Sequence, residues 1–373
     1  MFISKKIQKC FILSILNSTR YINTKSNTGK FPRKIFSGIQ PTGSMHLGNY
    51  FGAITQWIDL QHKNEDITVS VVDLHSITLP QDPNVLPKSI LEMTATLLAC
   101  GIDPNKSVIF QQSRVLQHTE LFWYLGCICT MARLAHLPQY KEKSALLKDV
   151  LLGIFIYPVL QAADILVHKA THVPVGEDQI QQLQLCQELA QMFNKKFGTV
   201  FPIPRTLLSE KGSARIRSLR EPSKKMSKSD PDSKSRICLT DASDDIVKKI
   251  KKAVTDFTSA VTYDPESRPG VSNLILIHSL ISGKQPQVIV EESQYLDTLK
   301  YKHLVADVII EHLLPIKKKI EAYIANPEYL DQVLREGSEK AQATAEETMV
   351  EVRRKVGINF LEKLKEESSF IVI

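Results

Sequence analysis

The chain has 373 residues, 43% hydrophobic and 23% charged, a globular composition with room for one large or two medium domains. Its longest early apolar run, residues 10–16 interrupted by Ser14, falls short of the roughly 20 residues that cross a bilayer, so no membrane span is expected. The formal charge of +7 lies at one end: Lys5, Lys6, Lys9, Arg20, Lys25, Lys30, Arg33 and Lys34 precede the first acid, Asp59. Without those eight, 39 basic residues face 40 acidic ones, which excludes a chain-wide basic field for nucleic acid.

In chain order, residues 1–33 come first. They are acid-free, rich in Lys, Ser, Thr and Asn, and carry Phe2, Ile3, Ile7 and Phe11 at intervals. That composition predicts a mitochondrial or plastid transit peptide outside the fold, with a disordered basic tail as the plainer alternative. Arg20 and Lys25, which follow the apolar run, argue against a secretory signal.

Residues 33–38 read as a strand, and Leu47, Tyr50, Phe51, Ile54, Trp57 and Ile58 then recur at helical spacing. Between them lies "SGIQPTGSMHLGNYFG", residues 37–52, with four glycines, a proline and His46. "DITVSVVDLHSIT" predicts a second strand ending near Asp73 and His75, then a helix through "SILEMTATLLACG" that Gly101 can terminate. "SVIFQQS" predicts a third strand, followed by a helical pattern over 119–137. A helix at "YPVLQAADILVH", a short strand at "THVPVG" and a helix over 177–197 complete this part. Strands alternating with helices predict an α/β fold, a doubly wound parallel sheet covered on both faces. After Asp232 the periodicity is helical, with breaks at "YDPESRPG" and near Pro327, which predicts an all-helical region over 233–373 after an α/β domain at 34–232.

Six cysteines, Cys10, Cys100, Cys127, Cys129, Cys186 and Cys238, form no C-x-x-C pair and sit mostly in apolar segments. Buried free thiols, a reducing compartment and no metal site are the expectation.

Two stretches carry chemistry. Glycines at a strand-to-helix turn let a ligand approach the backbone, and the helix start offers unpaired N–H donors, so phosphate is the expected guest with His46 beside it. The spacing matches neither the dinucleotide fingerprint nor the P-loop. Turn geometry with His46 as a surface cap explains the same residues. The second stretch, "KKMSKSD", places Lys225 and Lys228 around Ser227, where preorganised cations can neutralise charge on transferring phosphates. A solvated loop is its bland counterpart.

Together the two stretches change meaning. With "HLGN" after its first strand and "KMSKS" near the end of its α/β region, the chain resembles the class I aminoacyl-tRNA synthetases, whose catalytic domain is Rossmann-like. "FSGIQPTG", "HLGNY", "YPVLQAADIL", "VPVGEDQ" and "KKMSKSDP" look like the tryptophan-activating members, and "PVLQAADIL" like their mitochondrial branch. The resemblance implies ATP-dependent formation of tryptophanyl-adenylate and its transfer to tRNA(Trp) in the mitochondrial matrix, with Mg2+ accompanying ATP. It also implies a homodimer formed through a helical insertion, and a C-terminal anticodon-binding region.

By position, the resemblance implies catalytic roles for His46, Lys143, Lys225 and Lys228. It implies ATP contacts from Gln40, His46, Gly48, Asn49, Gly176, Asp178, Lys225, Met226, Ser227 and Lys228. For tryptophan it implies Phe36, Gly38, His75, Tyr157, Gln161, Asp164, Val173, Val175 and Gln179. Asp164 stands on an otherwise apolar helix, and a carboxylate that only accepts suits an indole N–H that only donates. A capping aspartate is the alternative. His75 contacts the amino acid or is a satisfied core residue, and ordinary core packing is the rival role for Tyr157, Val173 and Val175. Gln161 stands where bacterial relatives commonly carry methionine.

The basic clusters Lys248, Lys249, Lys251, Lys252 and Lys317–Lys319 touch tRNA phosphates or face solvent. A tyrosyl-tRNA synthetase is the nearest rival, and "GIQPTG" with an intact "KMSKS" favours tryptophan. A nucleotidylyltransferase of coenzyme synthesis usually lacks the long helical extension. A non-catalytic relative would not be expected to keep His46, Lys225 and Lys228 together.

Overall fold

A computed structural model of the chain describes residues 31–137, 149–176, 180–207, 215–228 and 230–358. Lys143, Asp178 and Gln179 lie outside the described residues, as does the leader through residue 30. All the elements belong to the unit Arg33–Ile373.

Five parallel strands, β1 (Ile35–Ile39), β2 (Ile67–Val71), β3 (Val108–Gln111), β4 (His172–Pro174) and β5 (Arg205–Leu207), form one sheet in the order β3-β2-β1-β4-β5. The sequences IFSGI, ITVSV and VIFQ supply the β-branched and aromatic side chains that a sheet buried on both faces requires. β1 pairs with β2 along its whole length, from Ile35 opposite Ile67 to Ile39 opposite Val71. With β4 it pairs only at Ile35 opposite His172. The chain order reverses between these two neighbours, so a crevice opens at the carboxyl end of β1, the switch point where doubly wound sheets bind ligands.

Helix α1 starts at Leu47–Asn49, widens to a π-helix over Tyr50–Ile54 and continues over Thr55–His62. α2 (Asp73–Ser76) follows β2 directly, and α3 (Leu86–Cys100) ends at Gly101, whose φ of +116° admits the turn. The helix expected over 119–137 is two helices, α4 (Gln117–Gly126) and α5 (Met131–Ala135), because Thr130 caps the second by accepting from the Arg133 N–H at 3.4 Å. α6 (Leu152–Val167) carries Asp164, and α7 (Ile180–Phe197) precedes β5, a strand the periodicity did not announce.

The remainder is helical: α8 (Ser243–Lys251), α9 (Pro269–Ser282), α10 (Pro286–Glu292), α11 (Thr298–Ile324) and α12 (Pro327–Val356). The prolines at 269 and 327 start helices, as first-turn prolines do.

α11 packs on α3 and α12 packs on β3. Leu330, Val333 and Leu334 of α12 join the core beneath α1 and α3, while Ala341, Ala345, Met349 and Val352 join the core around α4, α6 and α7. Gly337 lies between these groups, and a Cβ there would stand 1.7 Å from the carbonyl oxygen of Ile109 in β3. Farther along, Arg353 clasps Glu120 of α4 and Glu346, and Lys169 pairs with Glu351 at 2.6 Å.

The cysteine expectation needs correction. Cys186 is buried, but Cys127 is exposed and Cys100, Cys129 and Cys238 are half-buried. Cys127 falls at the break between α4 and α5, where no helix face remains to bury it.

Candidate active site

The glycine-rich loop leaves β1 at the crevice and returns as the start of α1. His46 is the N-cap: its Nδ1 accepts from the Asn49 N–H at 3.3 Å, and Asn49 Oδ1 accepts from the His46 N–H at 3.4 Å. That reciprocal cap fixes the tautomer, since a ring nitrogen that accepts is bare and leaves the proton on Nε2. Gly48 makes room for the ring, because a Cβ there would meet His46 Cε1 and Nδ1 at 3.0 Å and Met226 Cβ at 3.5 Å.

The lysine loop closes over the same place. Residues 45–47 and 237–239 pair antiparallel, with the Leu47 N–H donating to Ile237 O at 2.9 Å and the Leu239 N–H to Met45 O at 2.8 Å. Met226 is buried against the turn, and its N–H donates to Ile216 O at 3.0 Å. Lys228 Nζ donates to Thr42 O at 2.8 Å, joining positions 186 residues apart. Arg236 donates to Asp230 O at 2.8 Å and braces the return of the loop.

Burial, with Lys228 and Arg236 nearby, lowers the His46 pKa to about 4. His46 is therefore a neutral Nε2–H donor at physiological pH rather than a cation. Burial lowers the Lys228 pKa to about 8, which leaves that side chain the cation of the pair.

The His46 shift has a consequence for stability. Between its ordinary 6.5 and its folded value near 4, the unfolded chain binds the proton and the folded chain does not, so stability is lost as pH falls through this window. From pH 7 to 4.5 the wild type should lose about 2.5 kcal/mol more than His46→Gln in urea unfolding. Equal losses in the two proteins would contradict this assignment.

A second cluster lies on the other side of β1. Asp164 is 2% exposed, and its Oδ1 accepts from Gln112 Nε2 and His118 Nδ1, both at 2.7 Å. Its Oδ2 accepts from His75 Nε2 at 2.8 Å. Hydrogen bonds from His118 and His75, aided by their attraction for the anion, outweigh desolvation and hold the carboxyl well below the usual carboxylate range. Tyr157 stands edge-on to His75 at 6.2 Å between ring centroids, and its hydroxyl accepts from Gln182 at 2.7 Å.

The positions singled out in the sequence thus fall into two groups flanking β1. His46, Gly48, Asn49, Met226, Ser227 and Lys228 come together at the start of α1, and Lys225 is tied to Arg217 by a backbone bridge with its side chain exposed. Gln40 and Gly176 are exposed beyond the carboxyl ends of β1 and β4. His75, Tyr157 and Asp164 form the second group, with Val173 buried and Gln161 and Val175 half-buried near it in sequence and fold. Gly38 lies at the carboxyl end of β1 against Val72. Phe36 faces away from the glycine loop, into the core, stacked on His168 at 5.5 Å.

Gln112, His118, His168 and Arg236 carry much of this geometry and were not foreseen. For Gln112, His118 and His168 the one sequence signal is polarity beside apolar runs, and Arg236, in the polar stretch "DSKSR", carries none.

Such a sheet, with a neutral histidine donor and a lysine facing each other at its switch point, defines an α/β enzyme that handles nucleotide phosphate. The family described as tRNA synthetases class I (W and Y) matches residues 28–313. The chain is 46% identical over 328 residues to the tryptophan–tRNA ligase of Caldanaerobacter subterraneus subsp. tengcongensis, covering 87% of this chain and 98% of that one. It is 45% identical over 348 residues to the mitochondrial tryptophan–tRNA ligase of Caenorhabditis elegans, covering 91% and 94%. Among solved structures, a tryptophanyl-tRNA synthetase from Campylobacter jejuni complexed with ADP and tryptophan matches with a TM-score of 0.77 at 31% identity, covering 87% of this chain and 99% of that chain. The chain belongs to the class I tRNA synthetases of the W and Y family.

Proposed function

We propose that the protein activates tryptophan with ATP and transfers it to tRNA(Trp), in the mitochondrial matrix. The observation that carries the reading is the joining of the two loops, with Lys228 Nζ 2.8 Å from Thr42 O and His46 capped beside it. A carboxylate oxygen of tryptophan attacks the α-phosphorus of ATP, and pyrophosphate leaves. A ribose hydroxyl at the tRNA 3′ end then attacks the adenylate carbonyl, and AMP leaves. His46 Nε2–H, Lys225 and Lys228 donate to phosphate oxygens as charge shifts toward pyrophosphate. The carboxylate attacks as an anion and gives up no proton, and in the second step the hydroxyl proton passes to the phosphate of the departing AMP; no motif names a general base, so positioning and electrostatics supply most of the acceleration.

Mg2+ arrives with ATP on its phosphate oxygens. Among the described residues there is no cluster of three histidine, cysteine or acidic side chains to hold a metal on protein alone.

Asp164 is the acceptor for the indole N–H in this reading. The test is amino-acid-dependent ATP–pyrophosphate exchange with tryptophan, tyrosine and phenylalanine in parallel. Tryptophan alone should support efficient exchange, with discrimination against phenylalanine of about 10⁴ to 10⁵, the range for a site whose buried polar group is left unmet. Asp164→Ala should raise the tryptophan KM and erode that ratio. Exchange with tyrosine and not tryptophan, or unchanged discrimination in Asp164→Ala, would refute the assignment.

Homodimer formation is part of the proposal. Leu116, Trp123 and Met131, 72%, 69% and 76% exposed, lie with exposed Leu151 and Leu152 on α4, α5 and the start of α6, a face that association would cover. The acid-free leader, together with the 45% identity to a relative named as mitochondrial, supports the location. Anticodon recognition by the C-terminal helices is the remaining element. Within their basic clusters Lys249 and Lys317 bond to Asp241, so any RNA contact there falls to other lysines.

A further inference from the structure

Behind Asp164 the fold buries two histidines that have no place in the chemistry above. His118, on α4, and His168, just past α6, are 0% and 4% exposed. Nε2 of His118 lies 3.2 Å from Nε2 of His168, so the rings form a chain ending at Asp164 Oδ1. Phe36 stacks on His168, and Phe110 packs on both rings with centroids at 5.5 Å.

The chemistry of these atoms assigns the protons. An ionised carboxylate only accepts, so His118 presents Nδ1–H to Asp164. Burial and the neighbouring His118 hold the His168 pKa well below its ordinary value, so His168 is neutral. One of the two facing Nε2 atoms donates to the other, and in either arrangement His118 keeps its Nδ1–H for Asp164. His168 thus backs His118 through this contact, and His118 donates to Asp164. With Gln112 on the same oxygen, both acceptor positions of Oδ1 are filled from within, whereas Oδ2 holds only the His75 contact.

We propose that His118, backed by His168, is a specificity-positioning residue that turns the Asp164 carboxylate so that Oδ2 keeps the single open acceptor position for a substrate ring N–H. The proposal rests on the reading of Asp164 as the indole acceptor. The groups facing Asp164 are His75 from α2, His118 and Gln112 from the β3–α4 side, and Cys186 from α7, with His168 behind His118 and Lys34 acting on His168.

The experiment uses the full chain and measures tryptophan- and phenylalanine-dependent exchange from pH 5.5 to 8.5. His118→Leu should raise the tryptophan KM about 10- to 100-fold, the size of one to two lost charge-assisted contacts. Its kcat and ATP KM should stay within about threefold, below the tenfold step of 1.4 kcal/mol. The tryptophan KM should also climb as pH falls, since Asp164 without this donor protonates at higher pH and loses its acceptor. His118→Asn, which keeps an N–H at the place of Nδ1, should restore KM and a flat profile.

Wild-type discrimination in His118→Leu, or equal impairment of the Leu and Asn variants with flat pH profiles, would overturn the proposal. Asp164→Ala run beside them separates the two ideas. If Asp164→Ala loses discrimination and His118→Leu keeps it, only the His118 role fails; if Asp164→Ala keeps it, the indole reading fails first. Should His118→Leu not fold, imidazole ¹⁵N spectra of the unaltered protein at pH 7 decide. An Nδ1 proton on His118 shared with a carboxylate supports the proposal, and a His118 bare at Nδ1 overturns it.

Discussion

Gly337→Ala should destabilise the protein by about 3 kcal/mol or more, the upper end for overpacking a core, although the same change in an exposed helix would stabilise it by up to about 1 kcal/mol. The sign is set by what the methyl meets: Ile109 O at 1.7 Å and Ile109 C at 2.7 Å, both backbone atoms of a paired strand. A side chain there could swing aside, but this carbonyl cannot. Relief requires lifting α12, which opens both cores at once because its residues belong to each. Urea unfolding should show the midpoint fall by about 1 M or more. Gly52→Ala, exposed in α1 with nothing within 4 Å of the new Cβ, is the matched control and should leave stability unchanged or raise it by up to about 1 kcal/mol. A Gly337→Ala midpoint equal to wild type would show that α12 does not approach β3 so closely.

The second large effect is on rate. Lys228→Met should cut kcat for tryptophan-dependent exchange by about 10²- to 10³-fold, the usual cost of removing one preorganised donor to developing charge, while the tryptophan KM stays within about threefold. Lys228 is bound to the glycine-loop carbonyl of Thr42, so the ammonium already stands where phosphates approach that loop. Its pKa near 8 adds a second readout. Below pH 8 the side chain is charged and attracts phosphate; as pH rises through 8 the charge is lost and the ATP KM should rise. Lys228→Met should lack that rise. A variant with wild-type kcat would remove Lys228 from the chemistry.

The parallel sheet was legible in the sequence because apolar runs of four or five residues ended at glycines, prolines and helix caps. The glycine and lysine loops were legible because each is continuous along the chain. β5 was not, since three residues after Pro202 and Pro204 carry no periodicity, and their pairing with β4 comes from topology alone. The π-helix at Tyr50–Ile54 left no mark, because its spacing of apolar residues differs little from that of an α-helix. Asp164 was found as an anomaly on an apolar helix, yet its partners were not. Gln112 and His118 lie 52 and 46 positions away, and only the crossover from β3 through α4 to α6 brings them to it. Spacing rules see local geometry, whereas this site is built by long-range contact.

The same feature that makes Gly337 sensitive bears on how the chain is made. β3 is an edge strand, finished by residue 111, and the helix that packs on it begins at residue 327. At about 5–20 residues per second, a ribosome needs roughly ten to forty seconds to deliver that cover. Throughout that interval the strand waits without its helix, offering main-chain donors and acceptors to any neighbouring chain. The cores that α12 completes therefore close only once residues 327–356 have been made, and until then the nascent protein depends on whatever shields that edge.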